Sequence, residues 1–301
     1  MTHDDIRIPA TDGHDLAARV YEPPGPSRAT LVALAGVGFP QRALRRVGQW
    51  LQANGLRLVT FDYRGTDPMA DPGGARSASL TTWATRDAVG ALRFVTDQWE
   101  EPFVLGHSFG GQSLALTDEL HAVRGAILVA AQLGHRHHWS GLARVKTEIF
   151  WRVLMPACVR WRDPMPKWLL GAPFAHGVAQ EWLAWARSPD WFFSKVPDAR
   201  ERLARFDRSV LAMSAVDDDM APHRAVSALL AQFEHAPREH VVVRPHELGV
   251  RHVGHLGFFR PGAEPLWERW AQFVDRTCDA SSASSARHIV PRTGTPSGRN
   301  S

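Results

Sequence analysis

Three kinds of side chain in this 301-residue chain could cooperate in acyl transfer: one serine, a run of aspartates and a group of histidines, in that order. Gly106-His107-Ser108-Phe109-Gly110-Gly111 follows the apolar run Phe103–Leu105 and precedes a helical pattern. In that strand-turn-helix setting a G-x-S-x-G sequence holds its serine on a strained turn with the hydroxyl free. A serine hydroxyl is a weak nucleophile at neutral pH, so it needs a base that is itself oriented by a carboxylate. The carboxylate is expected in Asp217-Asp218-Asp219, directly after the apolar run Val210–Ser214. Asp218 is preferred because Pro222, four residues on, suits the start of a helix. Asp217 is the alternative, and the two acids beside Asp218 otherwise read as a solvated loop.

The base is sought among His246, His252 and His255, which follow the run His240–Val243. His255 lies between Gly254 and Gly257 and ahead of Phe258-Phe259, as suits an imidazole held over a nucleophile by a glycine loop; His252 is the runner-up. The backbone N–H groups of Val37, in Ala35-Gly36-Val37-Gly38, and of Phe109 are the expected donors to an oxyanion. Neither the aspartate run nor His252-x-x-His255 comes with a complete set of metal-ligand spacings, so no metal is expected. His107 and the tryptophans Trp139, Trp182 and Trp185 are candidate substrate contacts. His135-Arg136-His137-His138 could meet an anionic substrate, though a surface loop is the simpler reading.

The elements that must carry these groups alternate. Short Val-, Leu- and Phe-rich runs at Thr30–Ala35, Leu58–Phe61, Phe103–Leu105, Ala126–Ala130, Val210–Ser214 and His240–Val243 read as buried strands. An opening hairpin is expected around Asp12-Gly13. Between the strands lie helical patterns, including Gln112–Leu120, Ala221–Phe233 and Glu264–Cys278, and the alternation implies an α/β fold with a mostly parallel sheet. One interruption, 133–206, has no convincing strand and carries helical patches at 142–154 and 178–186. It is expected to be a Trp-rich helical cap between two parts of a core, 1–132 and 207–278, with the Ser-, Arg- and Pro-rich residues 279–301 a disordered tail. Seven of the twelve tryptophans fall in the interruption, as pocket walls or as packing.

Composition narrows the classes. The chain has 35 basic and 31 acidic residues, only three of them lysine, and no long basic run, which argues against a nucleic-acid partner. Two cysteines exclude a disulfide framework, no apolar run approaches a membrane span, and no secretory signal is visible, so the cytoplasm is the default compartment.

These motifs resemble the α/β-hydrolase family over about 270 residues. Asp62-Tyr63-Arg64-Gly65 after a strand, Gly106 to Gln112, and Gly254-His-Leu-Gly-Phe-Phe-Arg260 come in the family's order. The last two, with Glu181 to Pro189, also resemble a group of uncharacterised bacterial serine hydrolases, which supplies no substrate. The sequence departs from the family at Ala35, where His is usual before the glycine, and at Ala215, where glycine is frequent three residues before the acid. The resemblance implies an eight-stranded sheet and a serine hydrolase acting on an ester or thioester of a small, partly apolar acyl substrate, with no cofactor. An aminopeptidase-like amide hydrolase and a non-catalytic binding protein are the alternatives. Leaving group, pathway and oligomeric state stay open.

Overall fold

The computed structural model describes residues 3–287. Eight strands form one sheet: β1 (Asp4–Pro9), β2 (Asp15–Tyr21), β3 (Thr30–Leu34), β4 (Arg57–Phe61), β5 (Phe103–His107), β6 (Gly125–Val129), β7 (Val210–Ala215) and β8 (Arg238–Val243). Their spatial order is β1-β2-β4-β3-β5-β6-β7-β8. β2 runs antiparallel to β1 and β4, and every other pair is parallel. Strands β3 to β7 are buried along their whole length, which is why their sequences read as unbroken apolar runs. This is the α/β-hydrolase fold, with helices on both faces of the sheet. The parallel arrangement sends the loops after β3, β5, β7 and β8 to one edge, so Val37, Ser108, Asp218 and His255 gather there although 218 residues separate the first from the last.

Two helices differ from expectation. The helical pattern at 112–120 is broken: one turn, Phe109–Gln112, runs into a tight turn, Ser113–Ala115, and the chain then bends before Glu119–Ala122. One local and one distant side chain end it, since the Thr117 hydroxyl accepts from Glu119 N–H (3.1 Å) and Arg202 donates to the Ala115 carbonyl (3.1 Å). The terminal helix, expected to stop at Cys278, continues as Glu264–Arg287; the rest of the expected tail, 288–301, lies outside the described residues.

Between β6 and β7 the chain is helical, with one isolated bridge, Met165 to Phe174. The expected patches are helix 141–161 and helix His176–Ala186. The first contains a widened turn at Phe150–Leu154, just before Pro156, whose missing N–H and bulky ring do not fit a regular helical turn.

The loop after β4 is fixed by buried charge. Arg64, whose side chain is 3% exposed, donates to Asp87 through its backbone N–H (2.9 Å) and its Nε (2.8 Å), and to both oxygens of Asp12 (2.7 and 2.8 Å). Its carbonyl accepts from the Trp83 indole at 2.8 Å. Burial pushes the Asp87 carboxyl above its ordinary pKa despite these bonds, whereas hydrogen bonding to Arg64 holds Asp12 down at about 2. Removing one member of a buried pair strands the other charge. Asp87→Ala is therefore expected to cost about 3–5 kcal/mol in chemical denaturation, and Asp12→Ala, at a partly exposed site, distinctly less.

Candidate active site

Ser108 sits at the tip of β5 with φ 51° and ψ −117°, a conformation that L residues avoid and that costs about 1–3 kcal/mol. Its surroundings hold it there. Ser108 N–H donates to the Val129 carbonyl at 2.9 Å, and the turn after it presses on β3 so closely that a Cβ on Gly110 would lie 1.8 Å from the Leu34 oxygen. Glycine at 110 thus reflects close approach of two backbones. Ser108 itself is 6% exposed.

The β3 loop reaches the same place. A Cβ on Gly36 would stand 3.0 Å from Ser108 Cβ and 2.8 Å from His107 Nδ1, so the backbone at Gly36-Val37 runs directly beside the serine. Phe109 opens the following turn, where a backbone N–H has no partner within the turn. Gln41 anchors the far end of the loop: its N–H and Nε2 donate to Asp62 (2.7 and 3.1 Å), its Nε2 also to Ala17 O (2.9 Å), and its Oε1 accepts from Thr60 (3.0 Å).

The His255 ring packs against that of His107, the residue before the serine (centroids 4.9 Å apart), and its Nδ1 is 2.8 Å from Asp218 Oδ2. The Asp218 side chain is fully enclosed, and its Oδ1 accepts from Met220 N–H (2.8 Å) and Ala221 N–H (3.0 Å). With Nδ1 donating to the carboxylate, the imidazole presents Nε2 as a proton acceptor. The structure therefore joins Asp218 to His255 and leaves His246 outside the arrangement.

The second expected candidates form a pair of their own. His252 Nδ1 is 2.6 Å from Asp217 Oδ2, but His252 is 63% exposed, while His255 is 10% exposed. Asp217 also accepts from Val253 N–H and Gly254 N–H, each at 3.0 Å, and so clasps the backbone just ahead of His255. The solvated-loop expectation is corrected for Asp217, whereas Asp219 is exposed as that reading has it. Asp219 pairs with Lys146 (2.8 Å), and its carbonyl accepts from the Trp139 indole (2.7 Å), tying the inserted helices to the β7 loop. Burial opposes ionisation of Asp217, yet the N–H groups of Gly254 and Val253 and the nearby His252 outweigh it and keep its pKa below the ordinary value.

Two expected substrate contacts turn out to be packing. His107 is enclosed by Phe39, Phe259 and His255, with its Nε2 3.2 Å from the His255 carbonyl. Burial, helped by the nearby His255, drives its pKa well down, so the ring is neutral and its Nε2 carries the proton toward that carbonyl. Trp185 is 1% exposed and wedged between Phe109, Trp191 and Phe192. Trp139 and Trp182 line a cavity of about 290 Å³ together with Phe150, Leu169, Leu170 and Met220. Leu170 touches the β3 loop at Gly38, and Asp219 and Met220 belong to the β7 loop, so the cavity borders both loops, although Ser108, Asp218 and His255 do not line it. A wider cleft of about 720 Å³, lined by His135, Arg136 and His137 among others, lies beyond Trp151 and Trp191 and contains none of Ser108, Asp218 or His255. Among the described residues no group of three or more His, Cys, Asp or Glu side chains is placed to hold a metal.

The sequence reading missed the clasp by Asp217 and the Gln41 anchor. The first had a signal, because two adjacent aspartates and two histidines three apart can pair in register; Gln41 had none.

The alpha/beta hydrolase family model matches residues 31–264, and the chain belongs to this family. Solved structures with the same fold include the esterase domain of a Rhodothermus marinus protein (19% identity, TM-score 0.59, covering 92% of this chain and 99% of that one). Est1E from Butyrivibrio proteoclasticus is similar at 14% identity and TM-score 0.58 (91% and 99%), and a lipase in an open form at 16% and 0.64 (92% and 99%). At these identities the likeness establishes the fold. No curated protein sequence matches the chain.

Asp217→Ala removes the acceptor of two backbone N–H groups. Hydrogen exchange at Val253 and Gly254 is expected to quicken about tenfold or more, with little change elsewhere. Because the folded pKa of Asp217 is depressed, the clasp is at full strength above the ordinary aspartate value of about 4 and weakens as pH falls through the lower folded value. The same exchange measurement in acid reads this loss.

Proposed function

We propose that the protein is a serine hydrolase that cleaves esters or thioesters of small, partly apolar acyl groups. The observations that support this reading are the enclosed Asp218 carboxylate 2.8 Å from His255 Nδ1 and a serine held on a strained turn at the same edge of the sheet. His255 Nε2 takes the proton of Ser108 as the hydroxyl oxygen attacks the acyl carbon, and Asp218 stabilises the resulting imidazolium. The N–H groups of Val37 and Phe109 meet the charge on the carbonyl oxygen. Collapse of the tetrahedral species returns the proton to the leaving group, and water then repeats the sequence on the acyl-enzyme. Residues 133–206 act as a cap, whose cavity lined by Trp139, Trp182 and Phe150 receives the apolar part of the substrate. Its size supports a small acyl group.

A fluorophosphonate probe is expected to label Ser108, and Ser108→Ala to abolish both labelling and ester turnover while the fold is kept. His255→Ala should lower kcat by about 10⁴-fold, and His252→Ala by less than about tenfold. Absence of labelling in the folded wild-type protein, or an inactive His252→Ala beside an active His255→Ala, overturns the assignment.

A further inference from the structure

Ten large apolar side chains are exposed among the described residues, and six of them fall between positions 142 and 168. Leu142, Val145, Ile149 and Val153 are 53–71% exposed and spaced by three, four and four along helix 141–161, so they form a stripe along one side of it. Trp161, 74% exposed, ends this helix, and Trp168, 61% exposed, stands on the short helix Lys167–Leu170. The other side of helix 141–161 is already used, since Ala143, Thr147, Phe150 and Trp151 line the apolar cavity. The outward side of a helix on a protein surface is ordinarily polar, and an apolar patch there marks a place where something docks.

Charge indicates the partner. Residues 141–168 contain six basic residues against Glu148 and Asp163, a net +4 that equals the formal charge of the whole chain. Lys146 is paired with Asp219 and Arg152 with Glu148, so the excess around the stripe rests on Arg144, Arg160, Arg162 and Lys167. A second copy would bring the same charge to the contact, whereas an anionic surface brings the opposite one. Each exposed tryptophan has a cation at hand: the Arg160 guanidinium lies 4.6 Å from the Trp161 ring centroid, and Lys167 precedes Trp168. Apolar side chains flanked by tryptophan and basic residues match the boundary between acyl chains and anionic headgroups. No helix among the described residues is long and apolar enough to cross a membrane, which leaves a helix lying in the surface.

We propose that this face, Leu142 to Val153 with Trp161 and Trp168, docks on an anionic lipid surface, with helix 141–161 in the plane of the interface. Docking places the cavity beneath that helix against the lipid phase.

Sedimentation with vesicles tests this without reference to catalysis. Wild-type protein is expected to sediment with phosphatidylglycerol–phosphatidylcholine vesicles and not with pure phosphatidylcholine, and less as salt is raised. Ile149→Glu with Val153→Glu, both at exposed positions, should weaken binding about tenfold or more, with circular dichroism and thermal melting unchanged. Arg160→Gln with Lys167→Gln should weaken it and flatten its salt dependence. Wild-type protein that stays in the supernatant, that binds neutral vesicles equally, or that binds as before with the glutamate pair overturns the proposal. So does a dimer in analytical ultracentrifugation that the glutamate pair dissociates.

Discussion

A carboxylate shut away from water is tolerated only where donors meet its oxygens. The Asp218 side chain has no exposed surface and meets three donors: the N–H groups of Met220 and Ala221 on one oxygen and the His255 imidazole on the other. The first two shape the β7 loop around the carboxylate. The third ties the loop after β8 to it, so the position of His255 follows from where the charge is buried. The same tie limits the tautomer, because an imidazole that donates from Nδ1 leaves Nε2 to accept.

Around this pair, other polar contacts take up the task of holding loops that a sheet edge alone leaves free. Asp217 clasps the backbone before His255, Gln41 fastens the β3 loop to Asp62 and β4, and Arg64 locks the β4 loop between Asp12 and Asp87. The strained Ser108 turn depends on this rigidity, since a conformation of this kind persists only where its surroundings over-determine it. Ring packing adds to it: His107 sits between Phe39, Phe259 and His255, and supports the histidine loop from beneath.

Much of this is legible in the amino-acid sequence. The buried strands announced themselves because a parallel sheet covered on both faces needs unbroken apolar runs, and the Ser108 elbow because close backbone approach demands glycine at 110. The Asp218–His255 pairing was readable from order and flanking residues. Residues 112–120 do not form the helix their apolar rhythm suggests, because Leu114, Leu116 and Leu120 do not register that Thr117 and a distant Arg202 compete for the backbone. That Trp185 and His107 are buried in ring packing is not legible for a related reason. Aromatic type and proximity in sequence do not tell which side of a loop faces a cavity and which faces the core. The sequence holds no signal for Gln41, since its four hydrogen bonds reach two separate segments, Ala17 on β2 and Thr60 to Asp62 at the end of β4.

The broken helix after Ser108 bears on how the site would handle charge. A helix of several turns projects a positive field from its N-terminus, but the segment here runs only from 109 to 115, about two turns. Little long-range field remains to reach a carbonyl oxygen at the serine. Under the proposed chemistry, stabilisation falls to contact donors at Val37 and Phe109, whose strength depends on placement to within tenths of an ångström and hardly at all on ionic strength. The site would then be sensitive to small displacements of the β3 loop and nearly indifferent to salt.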